Sequence, residues 1–269
     1  PILAAQLSTE KRRPLGVGII NFAYWLAKND LSYQDISADG LALIDEWTEA
    51  WSYYLIKASA DLAQEQGAIP GNMETKYGHG ITPNQTYKKD LDELIPHVER
   101  MDWTGLRKQL KETGIRNSTL MALMPSETSA QIANATNGIE PPRSLISIKQ
   151  SKHGVLKQVV PEYKRLKNKY DLLWDHKSPE GYLKIMSVLQ KYIDQGISVN
   201  TSYNPAFYED EKIPMSTMLQ HLLMFYKLGG KQLYYFNTND GQGEVDVSKM
   251  MGDLEIVEVD EEDCESCHI

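Results

Sequence analysis

The chain has 269 residues, of which 41% are hydrophobic and 24% are charged, an ordinary composition for a globular protein with a sizeable core. Its formal net charge of -9 argues against broad binding to nucleic acid, which requires a basic face. Its apolar runs fall short of the roughly 20 residues that span a bilayer, and residues 1–6 lack the features of a signal peptide. We therefore expect a soluble, cytoplasmic protein that binds neither nucleic acid nor a membrane.

The first part of the chain predicts helices separated by a loop. The run 15–20, LGVGII, is apolar and punctuated by glycine, which indicates a buried strand or the tight entry to a helix at 21–28. A long helix is predicted over 42–66, because apolar residues recur at helical spacing and a glycine follows. Residues 68–88 are rich in glycine and proline and predict a surface loop, and a polar helical segment follows at 88–114.

The second part alternates strand and helix, which is typical of a parallel α/β architecture. Four or five strands are too few to close a parallel barrel, so we expect part of a larger sheet. The predicted strands are 118–124, 197–201 and 231–237, and the predicted helices are 126–138, 161–174, 181–195 and 214–227.

The composition changes after residue 240, where glycine and acidic residues take over. The only two cysteines are Cys264 and Cys267, so no disulfide framework holds the fold. We therefore divide the chain into an α/β part, 1–240, and a flexible acidic tail, 241–269, that carries all the thiol chemistry.

One motif leads from the predicted strand 118–124 into a helix. It consists of Met124, Pro125, Ser126, Glu127, Thr128 and Ser129. The first turn of a helix leaves backbone N–H groups unpaired and carries partial positive charge, which makes the motif a candidate anion site. The simpler interpretation is that Ser126 or Thr128 caps the helix and Glu127 favours its first turn. The glycines at 16–18 lack the third glycine of a dinucleotide fingerprint.

A second motif is the pair Tyr234 and Tyr235 on the last predicted strand. Neighbours on a regular strand point to opposite faces, so the pair would ordinarily be half core and half surface. The alternative is a relay in which each phenol loses an electron and a proton together, since a phenol with a pKa of about 10 stays protonated at neutral pH. A relay requires a departure from regular pleating that brings the rings together.

The third motif is Cys264-x-x-Cys267, followed by His268. It fits a dithiol that cycles with a disulfide, and the acidic residues 260–263 are expected to raise the pKa of both thiols. The same string attaches c-type haem, but outside the cytoplasm and in a packed pocket. Structural zinc sites use four ligands, whereas this tail offers three. We therefore favour a mobile redox dithiol. The six histidines are scattered and predict neither a metal cluster nor a triad.

The predicted helix 214–227 carries an apolar stripe. Its members are Met215, Met218, Leu219, Leu222 and Tyr226. By default such a stripe packs in the core, and a groove for a partner peptide is the alternative.

Taken together, these residues resemble the large, catalytic subunit of class I ribonucleotide reductases. The resemblance covers essentially the whole chain, and its block 124–143 is highly specific. The matching segments are RPLGVGIINFAY at 13–24, RNSTL at 116–120, MPSETS at 124–129, NATNGIEPPR at 134–143, KQLYY at 231–235 and the terminal cysteine pair.

The resemblance implies a ten-stranded α/β barrel built from two antiparallel halves, of which this chain is the carboxyl-terminal part. Residues 124–129 would hold the diphosphate of a ribonucleoside diphosphate, largely through backbone N–H groups. Tyr234 and Tyr235 would pass a radical inward from the small subunit. Cys264 and Cys267 would reduce the active-site disulfide and be re-reduced by thioredoxin or glutaredoxin. The helix 214–227 would form part of the groove for the small subunit's carboxyl-terminal tail.

The sequence departs from the family in two respects. The family spaces its tail cysteines more widely than Cys-x-x-Cys. The family's upstream portion is also missing, with the cysteine that becomes a thiyl radical, the cysteine pair oxidised in turnover and the nucleotide effector sites. We therefore expect this chain to bind no cofactor directly, and the metal-radical cofactor to lie in the small subunit.

These departures predict an oxidoreductase piece that is inactive alone. Pro1 suits a split-gene product that assembles with a separate N-terminal chain, because an initiator Met before Pro is normally removed; a truncation is the alternative. A function of another class is a non-catalytic dithiol carrier or regulatory binding module with the same fold.

Overall fold

A computed structural model describes residues 2–151 and 154–239. The predicted tail, 241–269, with Cys264 and Cys267, lies outside these residues. The α-helices are α1 Leu3–Arg12, α2 Phe22–Lys28, α3 Ala38–Gln66, α4 Trp103–Thr113, α5 Glu127–Ile132, α6 Tyr163–Leu166, α7 Glu180–Gln190 and α8 Met215–Lys227. The strands are β1 Ile146–Ser151, β2 Gly154–Val159, β3 Val199–Tyr203 and β4 Leu233–Thr238.

Four extended segments lie side by side. Leu15 N–H donates to Thr119 O at 2.9 Å, and Val17 forms a parallel bridge with Met121. Ser198 N–H donates to Leu123 O at 3.3 Å, and β3 pairs in parallel with β4. The predicted parallel α/β rhythm is therefore present as a partial sheet, and residues 2–151 and 154–239 form no closed barrel.

Helix α7 lies in the centre of the core. Nine of its 11 residues are buried, and it contacts both α3 and α8. A helix that is apolar on nearly all sides belongs inside a protein. It ends at Gln190, short of the predicted 195, because the Gln190 side chain turns the chain by donating to the carbonyls of Ile193 and Gln195 at 3.2 and 2.8 Å.

Helix α3 confirms the long predicted helix and starts four residues earlier, after the Ser37 cap. Its buried face is partly ionic. Asp45 binds Lys191 Nζ at 2.8 Å and Arg100 at 2.9 Å, and Glu49 accepts from Arg100 and Trp103. Burial alone would raise the pKa of Glu49, but the hydrogen bonds from Trp103 and Arg100 outweigh it and lower that pKa. These bonds fasten α3 to α7 and to the start of α4.

Two predicted helices are confirmed only in part. The segment 88–114 contains a 3-10 turn and then α4, whose amino end is capped by Asp102 accepting from Gly105 N–H at 2.9 Å. Pro96, which has no N–H to donate, interrupts the segment. The segment 161–174 forms only α6 and a 3-10 turn, since the Asp171 carboxylate accepts from the distant backbone N–H of Tyr33 at 2.7 Å.

The sequence also left some structure unpredicted. The segment 68–88 is more than a surface loop, because its 3-10 turns bury Ile69, Tyr77 and Thr82. The β1–β2 hairpin was not predicted, and neither was α1, which has no buried residue. Among the described helices, none is both long and apolar enough to span a membrane.

Candidate functional site

The MPSETS motif begins where the extended segment 119–123 ends. Its residues are mostly exposed, although the preceding Leu123 is buried. Helix α5 starts directly after Ser126, and Ala130 N–H donates to Ser126 O at 2.9 Å. The Ser126 hydroxyl bonds Met124 O at 3.4 Å and caps no backbone N–H, so the predicted capping by Ser126 is wrong. The first turn of α5 thus places backbone N–H groups at the end of the sheet segment.

Two glycines allow other segments to approach this motif. A Cβ at Gly18 would lie 2.7 Å from Met124 Sδ and 2.8 Å from Ala122 O, far inside normal contact. Gly138 has a φ of +49°, which favours glycine, and its Cβ position is 3.5 Å from Ser126 Oγ. The glycine-rich run 15–20, the motif and the 134–143 block therefore pack together.

Asn21 fixes the 134–143 block against the start of α2. Asn21 N–H donates to Thr136 O at 2.9 Å, and Thr136 N–H donates to Asn21 Oδ1 at 3.0 Å. Phe22 N–H donates to Gly138 O at 3.2 Å. These bonds hold two segments, more than a hundred residues apart in sequence, side by side.

A small cavity of about 90 Å³ lies beside the motif, lined by Glu127, Asn137, Glu140 and Arg143 among others. Burial raises the pKa of Glu140, against the opposing influence of a hydrogen bond from Asn200 and of the Arg143 charge; Glu127 raises it further. The cavity thus combines acidic groups with a cation beside the first turn of α5.

Tyr234 and Tyr235 lie in a bulge of β4. Val199 pairs with Leu233 and Thr201 with Phe236, so two tyrosines stand opposite one residue of β3. A bulge breaks the strict alternation of side chains. The ring centroids are 4.3 Å apart at an interplanar angle of 63°, and both side chains are about half exposed. This is the departure from regular pleating that a relay requires, and neither ring is in the core.

The two phenols affect each other. A hydrogen bond with the Tyr234 side chain raises the pKa of the Tyr235 phenol, and the Tyr234 charge acts in the same direction. The Tyr235 phenol therefore remains protonated at neutral pH, so it can lose an electron only if its proton moves too.

A side-chain bridge that no sequence pattern predicted links the 134–143 block to the tyrosines. Asn200 Nδ2 donates to Glu140 Oε1 at 2.6 Å, and Asn200 Oδ1 accepts from Tyr235 N–H at 3.1 Å. Glu140 lies in a segment that the sequence singled out, whereas Asn200 is an ordinary residue of a predicted strand.

The apolar stripe of α8 faces outward, so the default prediction of a core stripe is wrong. Met215 is 76% exposed, Leu222 41% and Tyr226 63%, whereas Phe225, at the edge of the stripe, is buried. Leu219 also belongs to this surface, at 50%. The α8 stripe is thus a row of mostly exposed apolar groups, although Met218 is half-buried and the Lys88 ammonium lies over the Tyr226 ring.

Two further features lie apart from these motifs. His221 bridges two hydroxyls, Tyr203 OH at 3.1 Å and Ser178 Oγ at 3.2 Å, and burial raises the pKa of Tyr203 to about 12. A cavity of about 670 Å³, lined by Thr119, Asp194 and Lys231 among others, lies where the extended segments begin. The MPSETS motif lies at the other end of its segment, after Leu123.

Comparisons with known proteins agree on one family. The family model described as "Ribonucleotide reductase, barrel domain" matches residues 1–236. The chain is 56% identical over 245 residues to the ribonucleoside-diphosphate reductase subunit alpha of Haemophilus influenzae, covering 91% of the chain and 32% of the relative. It is 54% identical to ribonucleoside-diphosphate reductase 1 subunit alpha of Escherichia coli K12, covering 90% of the chain and 31% of the relative.

A more distant relative covers still more of the chain. The ribonucleoside-diphosphate reductase subunit alpha of Enterobacteria phage T4 is 40% identical over 262 residues, covering 97% of the chain and 33% of the relative. The chain therefore spans about a third of the length of these relatives.

Proposed function

The chain belongs to the ribonucleotide reductase barrel-domain family, and from that premise we propose that it is the carboxyl-terminal part of the large subunit of a ribonucleoside-diphosphate reductase. Such an enzyme makes deoxyribonucleotides by radical chemistry. The observation that carries the proposal is the bulge that brings the Tyr234 and Tyr235 rings to 4.3 Å. The reaction is inferred from the names of the relatives. The bulge brings together two tyrosine rings of this chain that the reaction uses for radical transfer.

The tyrosine pair passes the radical inward from the small subunit, whose metal-radical cofactor generates it. An oxidised Tyr235 takes one electron and one proton from Tyr234, which leaves Tyr235 as a neutral phenol and the radical on Tyr234. Ring contact at 4.3 Å supports this exchange, because the reacting groups are already in place. Because both phenols are exposed, residues of another chain can contact them.

The MPSETS motif binds the diphosphate of a ribonucleoside diphosphate. The first turn of α5 offers backbone N–H groups and the positive end of a helix, and the hydroxyls of Thr128 and Ser129 are exposed beside them. The close approach of the chain at Gly18 to Ala122 and Met124 supports this role, since it packs the glycine-rich run against the segment that leads into the turn.

Partners complete the enzyme. The rest of the subunit, as a separate N-terminal chain, completes a ten-stranded barrel and supplies the thiyl-radical cysteine and effector sites. The threefold greater length of the relatives supports the existence of this further portion. The exposed stripe of α8 forms part of the groove for the small subunit's carboxyl-terminal tail. Cys264 and Cys267 reduce the active-site disulfide by thiol–disulfide exchange, become a disulfide, and are re-reduced by thioredoxin or glutaredoxin.

Reduction of a ribonucleoside diphosphate tests the proposal. The chain is assayed alone, with the N-terminal portion, and with that portion, the small subunit and a dithiol. We expect deoxyribonucleotide only in the complete mixture. If the components assemble and no product forms, the proposal is wrong and a non-catalytic carrier or regulatory module is favoured.

Replacing Tyr235 by Phe tests the relay. The ring remains but the phenol is lost, so turnover of the complete mixture should fall to the background of the assay while substrate binding is retained. Tyr54→Phe is the matched control, because Tyr54 is also exposed and in edge contact with its neighbour Tyr53 at 5.3 Å. Full turnover of the Tyr235→Phe chain would remove the pair from the mechanism.

A further inference from the structure

The bulge in β4 depends on side chains rather than on regular strand pairing. Asn200 alone stands opposite both tyrosines. Its Oδ1 accepts from Tyr235 N–H at 3.1 Å, and the neighbouring Thr201 Oγ1 donates to Tyr235 O at 3.5 Å. Side chains of β3 therefore bond both backbone groups of the extra residue.

The amide of Asn200 has one orientation because Glu140 fixes it. A carboxylate only accepts hydrogen bonds, whereas an Asn side chain has a donating and an accepting end. Asn200 Nδ2 donates to Glu140 Oε1 at 2.6 Å, so Oδ1 must face the other way, toward Tyr235 N–H. Reversing the amide would break both bonds at once.

We propose that Asn200, oriented by Glu140, is the positioning residue that keeps the Tyr234 and Tyr235 rings in contact for radical transfer. This inference rests on the proposed function. Without the Asn200 bond the extra residue is free to move along the strand, and a shift of one residue turns a side chain to the opposite face of a sheet. Asn200 touches no reacting atom, so it acts through the geometry of the pair.

Turnover of the complete reductase gives the first test. Asn200→Ala removes both bonds and should lower kcat by about 10- to 100-fold, the cost of a small misplacement, with KM for the ribonucleoside diphosphate within about twofold. Asn200→Asp keeps the acceptor but sets a second carboxylate against Glu140, so kcat should also fall. The matched control is Ser202→Ala, which removes the Asn237–Ser202 bond of 3.4 Å between the same strands and should leave kcat unchanged.

Ring contact gives a second test that does not depend on activity. In tyrosine-labelled chain, nuclear Overhauser effects between the two rings should be present in the wild type, Ser202→Ala and Glu140→Gln, which keeps an acceptor for Asn200. They should be lost in Asn200→Ala. Thermal unfolding of each variant separates this effect from a general loss of structure.

The outcomes distinguish the two proposals. A wild-type assembly that makes no product contradicts the proposed function, while the ring contacts still decide whether Asn200 holds the pair. Retained ring contact in Asn200→Ala overturns the positioning role. So does full kcat in a variant that has lost the contact.

Discussion

At the scale of single residues, Gly16 and Gly18 lie two positions apart but differ in the space available for a side chain. A Cβ at Gly16 meets only ordinary contacts, the nearest at 3.5 Å, whereas a Cβ at Gly18 would lie 2.8 Å from the backbone oxygen of Ala122. That oxygen cannot move without displacing the segment that leads into the MPSETS motif.

We therefore expect Gly18→Ala to lower the free energy of unfolding by about 1–3 kcal/mol, the usual cost of overpacking. Displacement of the motif should also raise KM for the ribonucleoside diphosphate in the complete reductase. Denaturant unfolding and steady-state kinetics measure the two effects. Gly16→Ala is the control, and equal behaviour of the two variants would contradict a packing role for Gly18.

Residue patterns predicted the components of the site but not their connection. The glycine run, the motif, the tyrosine pair and Glu140 all lie in segments that the sequence singled out. The bulge depends on a register shift between β3 and β4, which is a tertiary property without a local sequence signal. Asn200 was missed for the same reason, because its partners are 60 and 35 positions away along the chain.

At the scale of elements, the sequence predicted where the amphipathic helices lie but not which of their faces is buried. Helix α8 was predicted within one residue, but its apolar stripe faces outward. The buried face of α3 includes Asp45 and Glu49, which spacing rules count as surface. Charged partners on other elements compensate the charges of these carboxylates. The residue pattern of a single helix does not predict such partners. Periodicity identifies a helix, whereas the partners decide which face is covered.

The outward stripe of α8 makes a specific prediction. Leu222→Glu places a charge in the middle of the apolar surface and should weaken binding of the small subunit's carboxyl-terminal peptide by at least about tenfold. Stability should change little, since Leu222 is exposed. Fluorescence anisotropy of the labelled peptide with the assembled large subunit measures the affinity. Gln220→Glu, an exposed change on the same helix, should bind normally; unchanged binding by Leu222→Glu would exclude this stripe from the groove.

At the scale of the whole molecule, a buried ionic network joins the helices around the core. Lys191 and Asp45 are both fully buried and 2.8 Å apart. Ion pairs of this kind contribute little net stability compared with an apolar pair, but losing one partner leaves a charge uncompensated.

Lys191→Met should therefore lower the free energy of unfolding by about 3–5 kcal/mol. Lys184→Met, which removes a partly exposed pair with Glu180 on the same helix, should cost less than about 1 kcal/mol. Urea denaturation followed by tryptophan fluorescence measures both. Similar stability of the two variants would show that Arg100 alone satisfies Asp45.

The order of the four extended segments has a consequence for how the protein is made. Segment 15–17 lies beside 119–123, so about a hundred residues separate neighbours in space. At a synthesis rate of about 5–20 residues per second, the first segment waits on the order of 5–20 seconds for its partner. Such distant pairings also form slowly. The strand that carries Tyr234 and Tyr235 is synthesised about a hundred residues after the MPSETS motif, so the proposed phosphate-binding turn leaves the ribosome before the proposed radical relay.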